Sequence, residues 1–251
     1  ADNSIAIAVE ASRFPADEEI PAMRESLERA AEGPVQLWWK AGKQARFTRL
    51  DTGTDSLGFA VAEDINLKFE PGQFIQVNGQ INREMIDQML NLVPEGGDTA
   101  VDLYCGTGNL SLPLTRRFKQ VVGIEGLPDL VKGAISNAAD NNIDNVEFTV
   151  ADLSRGVGLA NIGEANRPLE NIDLIVLDPP RNGAAGVMPW VAKSGAQSLI
   201  YISCHPSTMV RDSGALAEAG YSLKAVGVMD MFPHTIHIEA MALFEKSTRR
   251  G

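Results

Sequence analysis

The spacing of apolar residues changes character once along the chain. Residues 1–72 alternate in short runs. "SIAIAV" and "VQLWWK" predict strands, and "PADEEIPAMRESLERAAEG" predicts a helix with a charged face, stopped at Gly33-Pro34. "KAGKQARFTR" predicts a basic turn and strand, and "SLGFAVAEDINLKFEPG" predicts a hairpin. A boundary falls near Pro71-Gly72, separating a small α+β segment (1–72) from a larger domain (73–251).

Beyond it, strand and helix patterns alternate. Helical "NREMIDQMLNLV" precedes the strand "TAVDLY", a glycine turn and a helix through "LSLPLTRRF". The strand "QVVGIE", the helix "PDLVKGAISNAADNN" and the strand "VEFTVAD" follow. "IDLIVLD" is a continuous apolar run, as expected of a strand buried on both faces. A helix around "GVMPWVAK", the strand "SLIYIS" and the helix "STMVRDSGALAEAG" lead to two final strands, "SLKAVGVMD" and "HIEAMALFEK". Such alternation predicts an α/β, doubly wound, mostly parallel sheet. The last pair, with no helix between, predicts an antiparallel edge.

Composition narrows the classes. With 251 residues, 44% hydrophobic and 22% charged, the chain can bury a sizeable core, and no apolar run reaches a membrane span. The N-terminus has no basic region of the signal-peptide kind, and its start close to a strand-like segment (Ser4 to Val9) suggests a processed or truncated chain. Two distant cysteines exclude a disulfide framework and a four-cysteine metal site, and they point to a reducing compartment, the cytoplasm. The net charge of −11 argues against a non-specific polyanion binder. The basic run Lys40, Lys43, Arg46 and Arg49 is the stretch on which RNA contact would depend, although such runs are more often a solvated face.

In a sheet of this kind ligands bind beyond the carboxyl ends of the strands. "DLYCGTGN" (102–109) follows the first strand, and Gly106 and Gly108 permit a tight turn and close backbone approach. A dinucleotide site would continue with glycine at residue 111, which is Ser111. Glu125 ends the second strand, where an acid can hold ribose hydroxyls, and Asp152 follows the third, where it can meet an adenine edge. Acids after successive strands suit a nucleoside bearing positive charge, S-adenosylmethionine above all. Each acid alone would read as a helix cap or a solvated residue.

The fourth strand ends "VLDPPR", so Asp178 opens a rigid turn and Arg181 is placed for a phosphate or carboxylate. The fifth ends at Cys204, before "HPST" and a helix start. Cys105 reads as an apolar filler. For Cys204, a helix N-terminus and nearby cations predict a lowered thiol pKa. A thiolate beside a methyl donor has a specific use: added to C6 of a pyrimidine, it makes C5 nucleophilic. A base must then remove the C5 proton, and Glu239, set among apolar residues in the last strand, is the candidate. His205, His234 and His237 lie nearby, but no tight metal-ligand spacing is present and no metal is expected.

"FIQVN", "DLYCGTGNLSLPL", "VVGIEG", "VLDPPRNGAAGVM", "YISCHPSTMVRD" and "DMFPHTIHIE" together resemble RNA (uracil-5-)-methyltransferases, nearest to the type acting on 23S ribosomal RNA. The resemblance covers roughly 55–251 and more weakly 1–54. It implies a Rossmann-like S-adenosylmethionine-dependent methyltransferase fold, with S-adenosyl-L-homocysteine as product. It also implies that Gln76, Tyr104, Gly106, Asn109, Glu125, Asp152 and Asp178 line the cofactor site, that Cys204 is the nucleophile and Glu239 the base, and that Asp178 touches the uracil. Arg181 joins the basic run as a substrate contact. The chain departs from the family's "SCNP" at His205. Relatives of the ribosomal type also carry an N-terminal oligonucleotide-binding barrel and a cysteine-ligated iron–sulfur cluster, neither expected in this chain. The expected partner is RNA, with no membrane and a monomeric enzyme. The alternatives are the same chemistry on transfer RNA, or a non-catalytic RNA-binding or assembly factor. The joint presence of Cys204 and Glu239 speaks against the last.

Overall fold

The computed structural model describes residues 5–42, 46–51, 53, 56–93, 95–156 and 171–247. The chain divides into two compact units, Ala1–Phe59 with Lys68–Ile75, and Ala60–Leu67 with Gln76–Gly251. Pro71-Gly72 thus lies inside a segment that packs with the first unit, and the hairpin tip 60–67 packs with the second.

In the first unit, strand β1 (Ile5–Ala11) runs parallel to β2 (Val35–Ala41), joined by helix α1 (Ile20–Ala31). The helix ends where Glu32 turns left-handed (φ 54°) and the Gly33 amide donates back to the Glu28 carbonyl. The short β3 (Thr48–Arg49) pairs antiparallel on the other side of β2. Val35, Leu37 and Trp39 of β2 form the buried face, and Trp39 Nε1 donates to the Arg13 carbonyl at 2.9 Å. Strands β4 (Leu57–Ala62) and β5 (Ile65–Phe69) form the hairpin. Its tip is tied into the second unit by the Asn66 and Asn141 pair, with Asn66 N donating to Asn141 Oδ1 at 2.9 Å and Asn141 Nδ2 to the Asn66 carbonyl at 2.7 Å, and by the Arg116–Asp64 ion pair.

The second unit is built on a seven-stranded sheet. Its strands are β6 (Gly97–Leu103), β7 (Phe118–Glu125), β8 (Val146–Val150), β9 (Ile172–Leu177), β10 (Ser198–Ser203), β11 (Tyr221–Met229) and β12 (Glu239–Lys246), in the order β11-β12-β10-β9-β6-β7-β8. All neighbours pair parallel except those of β12, which runs antiparallel to both β10 and β11. The antiparallel strand therefore lies inside the sheet, and β11 forms the edge. Central strands β6, β9 and β10 are almost wholly buried, β9 and β10 with mainly apolar side chains, consistent with helices packed on each side.

The helices follow their apolar spacing. Helix α2 (Gly79–Leu92) is capped by Asn78, whose side chain accepts from the Ile81 amide at 3.2 Å, and it buries Asn82, Met85, Ile86, Met89 and Leu90. The helix expected through "LSLPLTRRF" shortens to α3 (Ser111–Leu114), because the turn Thr115–Arg117 follows at once and Phe118 already opens β7. Helices α4 (Pro128–Asp140), α5 (Met188–Lys193) and α6 (Pro206–Glu218) each have proline in the first turn, where its missing N–H costs nothing.

The chain leaves β6 for β7 and β8 on one side and returns with β9 and β10 on the other. The crevice at the carboxyl ends of β6 and β9 is the switch point where such sheets bind ligands.

Candidate active site

Strand register brings five of the candidate residues into one row. Leu103 pairs with Ile124 and Leu177, and Leu177 pairs with Tyr201. Glu125, Tyr104 and Asp178 therefore follow three neighbouring strands at one level. Strand β10 runs two residues further and pairs Ser203 with Ala240 of β12. Cys204 and Glu239 extend that antiparallel register by one position. At about 4.8 Å per strand, the row from Glu125 to Glu239 spans roughly 19 Å.

At the β7 end, the turn after β6 bends through left-handed backbone at Tyr104 (φ 68°), Gly106 (φ 56°) and Gly108 (φ 99°). The first is unusual for a side chain as large as tyrosine and marks an over-determined turn. Glu125 fixes this turn: its carboxylate accepts from the Gly106 amide at 3.2 Å and from the Leu127 amide at 3.0 Å. Its other lone pairs remain available to hydroxyls. Asn109 is turned toward α2, where its amide and that of Asn82 exchange two hydrogen bonds of 2.9 Å. Asp152 is exposed, and its hydrogen bond from Ser154 Oγ at 2.6 Å heads the causes that hold its carboxyl below the usual range. Gln76 is half-buried in the segment leading to α2.

Asp102 was not singled out from the sequence, yet it is fully buried in β6. Ser111 Oγ donates to its Oδ2 at 2.5 Å, while Oδ1 has no hydrogen-bond partner among the described residues. Burial raises its pKa to about 7, partly offset by the Ser111 hydrogen bond and reinforced by the charges of Asp178 and Glu125. An acid inside the apolar run "TAVDLY" was the available signal.

At the other end, burial raises Asp178 to about 7. Glu239, 3% exposed, is raised to about 8 by burial and then by Asp178. The Cys204 thiol corrects the expectation of a lowered pKa. Burial first, then the charges of Glu239 and Asp178, push it above its ordinary value, and Arg181 only partly opposes them. Helix α6 does begin at Pro206, two residues on, while β9 and β12 deliver the acids that oppose the thiolate. Cys105, buried behind the turn, is pushed up further, chiefly by desolvation.

The rim thus concentrates acids that resist ionisation because burial strips their water and, for Asp102, Cys204 and Glu239, because neighbouring acids repel the charge. A cation placed there would lower Asp102, Asp178, Glu239 and Cys204 together. The orphaned Asp102 oxygen, the glycine turn and the braced Glu125 fit a nucleoside carrying positive charge.

His205 is exposed at the head of α6, its Nδ1 2.9 Å from Ser207 Oγ. His234 takes left-handed backbone (φ 66°), and His237 packs edge-on against Phe232. No group of three or more metal-ligating side chains lies together among the described residues. Arg181 is exposed beside the site. Of the basic run, Lys40 pairs with Glu10 at 2.9 Å and lies over the Phe47 ring, and Arg49 pairs with Asp51 at 2.7 Å and approaches Trp38. Arg46 is exposed, and Lys43 lies outside the described residues.

A family model described as tRNA (uracil-5-)-methyltransferase matches residues 22–247. The chain belongs to this family. Within it, the chain is 48% identical over 185 residues to a protein of Hahella chejuensis named 23S rRNA (uracil(1939)-C(5))-methyltransferase RlmD, a match spanning 73% of this chain and 41% of the relative. The protein of the same name from Pseudomonas putida is 46% identical over 191 residues, spanning 75% of this chain and 41% of that one. The matched region is thus under half the length of these relatives. Among solved structures, Pyrococcus abyssi tRNA (uracil-54, C5)-methyltransferase in complex with S-adenosyl-L-homocysteine superposes with a TM-score of 0.73 at 23% identity, covering 96% of this chain and 56% of that one. That likeness establishes the fold: this family member has the Rossmann-like methyltransferase architecture.

Proposed function

We propose that this chain methylates C5 of a uridine in 23S ribosomal RNA, using S-adenosyl-L-methionine, with Cys204 as nucleophile and Glu239 as base. The observation that carries the reading is the pairing of β10 with β12, which sets Cys204 and Glu239 at adjacent strand ends in a buried, acid-rich rim. The matched relatives' names, which specify C5 methylation of 23S rRNA uracil, support the substrate.

S-adenosylmethionine supplies an electrophilic methyl group on a positively charged sulfonium. Glu125 and the Gly106–Gly108 turn would hold its ribose, with Tyr104, Gln76, Asn109 and Asp152 around the nucleoside. Asp102 and Asp178 would face its positive charges. Those charges favour the thiolate of Cys204 by the same coulombic logic that now opposes it. The thiolate adds to C6 of the uracil, and the C5–C6 electrons move toward C5 and the C4 carbonyl, giving a carbon nucleophile. Once C5 is methylated, Glu239 takes the C5 proton. The released electron pair re-forms the C5–C6 double bond and expels the Cys204 thiolate. Once ionised, a carboxyl that burial raises to about 8 holds an abstracted proton more tightly than an ordinary carboxylate would.

Arg181 and the basic segment around Arg46 would contact RNA phosphates. No helix among the described residues is long and apolar enough to cross a membrane. The enzyme would act as a monomer and meet its RNA in the cytoplasm. The test is transfer of radiolabelled methyl to unmodified transcripts. Label in 5-methyluridine of 23S rRNA, absent from tRNA, supports the reading. Label in tRNA alone moves the substrate, and no label in either, from a chain that binds the cofactor, points to a non-catalytic RNA-binding role.

A further inference from the structure

Helix α6 buries Met209, Asp212 and Leu216 as one seam, so an aspartate occupies a core position between two apolar side chains. Asp212 is only 3% exposed. A buried carboxylate is tolerated when its lone pairs are filled. Here they are filled from separate parts of the fold. Oδ2 accepts from the Ala184 amide at 2.7 Å and from the Tyr201 hydroxyl at 2.7 Å. Oδ1 accepts from Arg211 Nε at 2.8 Å and Nη2 at 2.7 Å. The same Nη2 donates to the Asn182 carbonyl at 2.9 Å.

These partners bracket the nucleophile. Tyr201 lies in β10 just before Cys204, and Asp212 lies in the helix just after it. Ala184 and Asn182 belong to the turn that begins with Asp178 and carries Arg181. The Gly183 amide closes that turn onto the Pro180 carbonyl at 2.8 Å. Gly183 itself takes φ +81°, and a Cβ there would stand 2.7 Å from Asp212 Oδ2 and 2.9 Å from Thr208 Cβ. Only glycine lets the turn approach the carboxylate this closely.

We propose that Asp212 is a positioning residue that holds the turn bearing Asp178 and Arg181 in register with Cys204. The assignment rests on the reading of Cys204 as nucleophile. Asp212 touches none of the reacting atoms. It acts through the strand, the helix and the turn that meet on its two oxygens. Displacing such a turn by an ångström is enough to cost a large part of a rate that depends on alignment.

The test uses the full chain with Asp212→Asn and Gly183→Ala, and Ser213→Ala as a control on the same helix. Three quantities are read: the melting temperature, kcat at saturating cofactor and RNA, and the pH profile of Cys204 alkylation by iodoacetamide. Buried Cys105 leaves Cys204 as the accessible thiol. Both variants should remain folded at the assay temperature, with kcat lowered about 30-fold or more. The midpoint of the alkylation profile should move by about half a pH unit or more, since Asp178 and Arg181 set the thiol's surroundings. Ser213→Ala should match wild type in all three. Folded variants with an unmoved thiol profile overturn the proposal, whether kcat holds or falls together with the melting temperature. If wild type methylates no RNA, the functional reading fails, and the alkylation profiles still test the positioning role by themselves.

Discussion

Replacing Glu239 by glutamine gives a stability test that requires neither RNA nor cofactor. The folded chain holds this carboxyl at about 8 against an ordinary 4.5, so the folded state binds its proton more tightly than the unfolded state does. The associated stability is fully present below pH 4.5 and is lost as the pH rises through 8. The shift, 8 − 4.5, is about 3.5 pH units, and at about 1.36 kcal/mol per unit it is worth at most roughly 5 kcal/mol. Relaxation and water entry on ionisation reduce this to on the order of 2–4 kcal/mol. Glutamine keeps the shape but has no proton to lose. Its amide carries a fixed cost of about 1–3 kcal/mol for imperfect hydrogen bonding, independent of pH. The difference in unfolding free energy, variant minus wild type, should therefore rise by roughly 2–4 kcal/mol between pH 5 and pH 8.5, measured by urea denaturation. A difference that stays flat across that range would mean that Glu239 titrates like a surface glutamate, and the desolvated rim would be refuted.

Glu125→Ala should weaken S-adenosylmethionine binding by about 1.5–3 kcal/mol, the usual worth of hydrogen bonds to a charged group; calorimetry giving equal affinity would remove Glu125 from the site. Cofactor binding should release protons between about pH 6 and 8, because Asp102 and Asp178, both raised to about 7, ionise to meet a cation. Calorimetry in buffers of different ionisation enthalpy reads that release directly, and buffer-independent heats would contradict it. Arg49→Ala should destabilise the first unit by about 1–3 kcal/mol. Burial pushes the Asp51 carboxyl up, but Arg49 and the Leu37 and Gly53 amides together bring it below its usual value. Unchanged unfolding in that variant would show the pair to be a surface contact of no consequence.

The alternation of apolar runs and the residues closing each run carried the fold and the row of candidate residues at the strand ends into view. "VLDPPR" and "YISC" end buried strands, and strand ends in a doubly wound sheet are where ligands bind, so the position of Asp178 and Cys204 at that rim was legible in the amino-acid order alone. Strand order is a different matter. Periodicity says which face of a strand is buried but not which neighbour it pairs with, so the insertion of β12 between β10 and β11 was not legible. The direction of the Cys204 shift was hidden for a related reason. The helix start at Pro206 is local in sequence, whereas Asp178 and Glu239 reach Cys204 only through pairing with β9 and β12. Asp102 and Asp212 carried a usable signal, each an acid at a position where the pattern demanded an apolar residue. Both share with Glu239 the feature that marked it, a carboxylate set among apolar neighbours.

If Cys204 attacks C6 of a uracil and Glu239 releases it, covalent capture will separate the two roles. Cys204→Ala should form no bond to RNA. Glu239→Gln can still add and methylate but lacks the base that frees the thiolate, so with S-adenosylmethionine it should accumulate as an RNA–protein adduct on a denaturing gel. Mass spectrometry should map that adduct to the peptide containing Cys204, joined to a methylated uridine. An adduct on Cys105, or normal turnover by Glu239→Gln without any adduct, would rule out this division of labour between the thiol and the carboxyl.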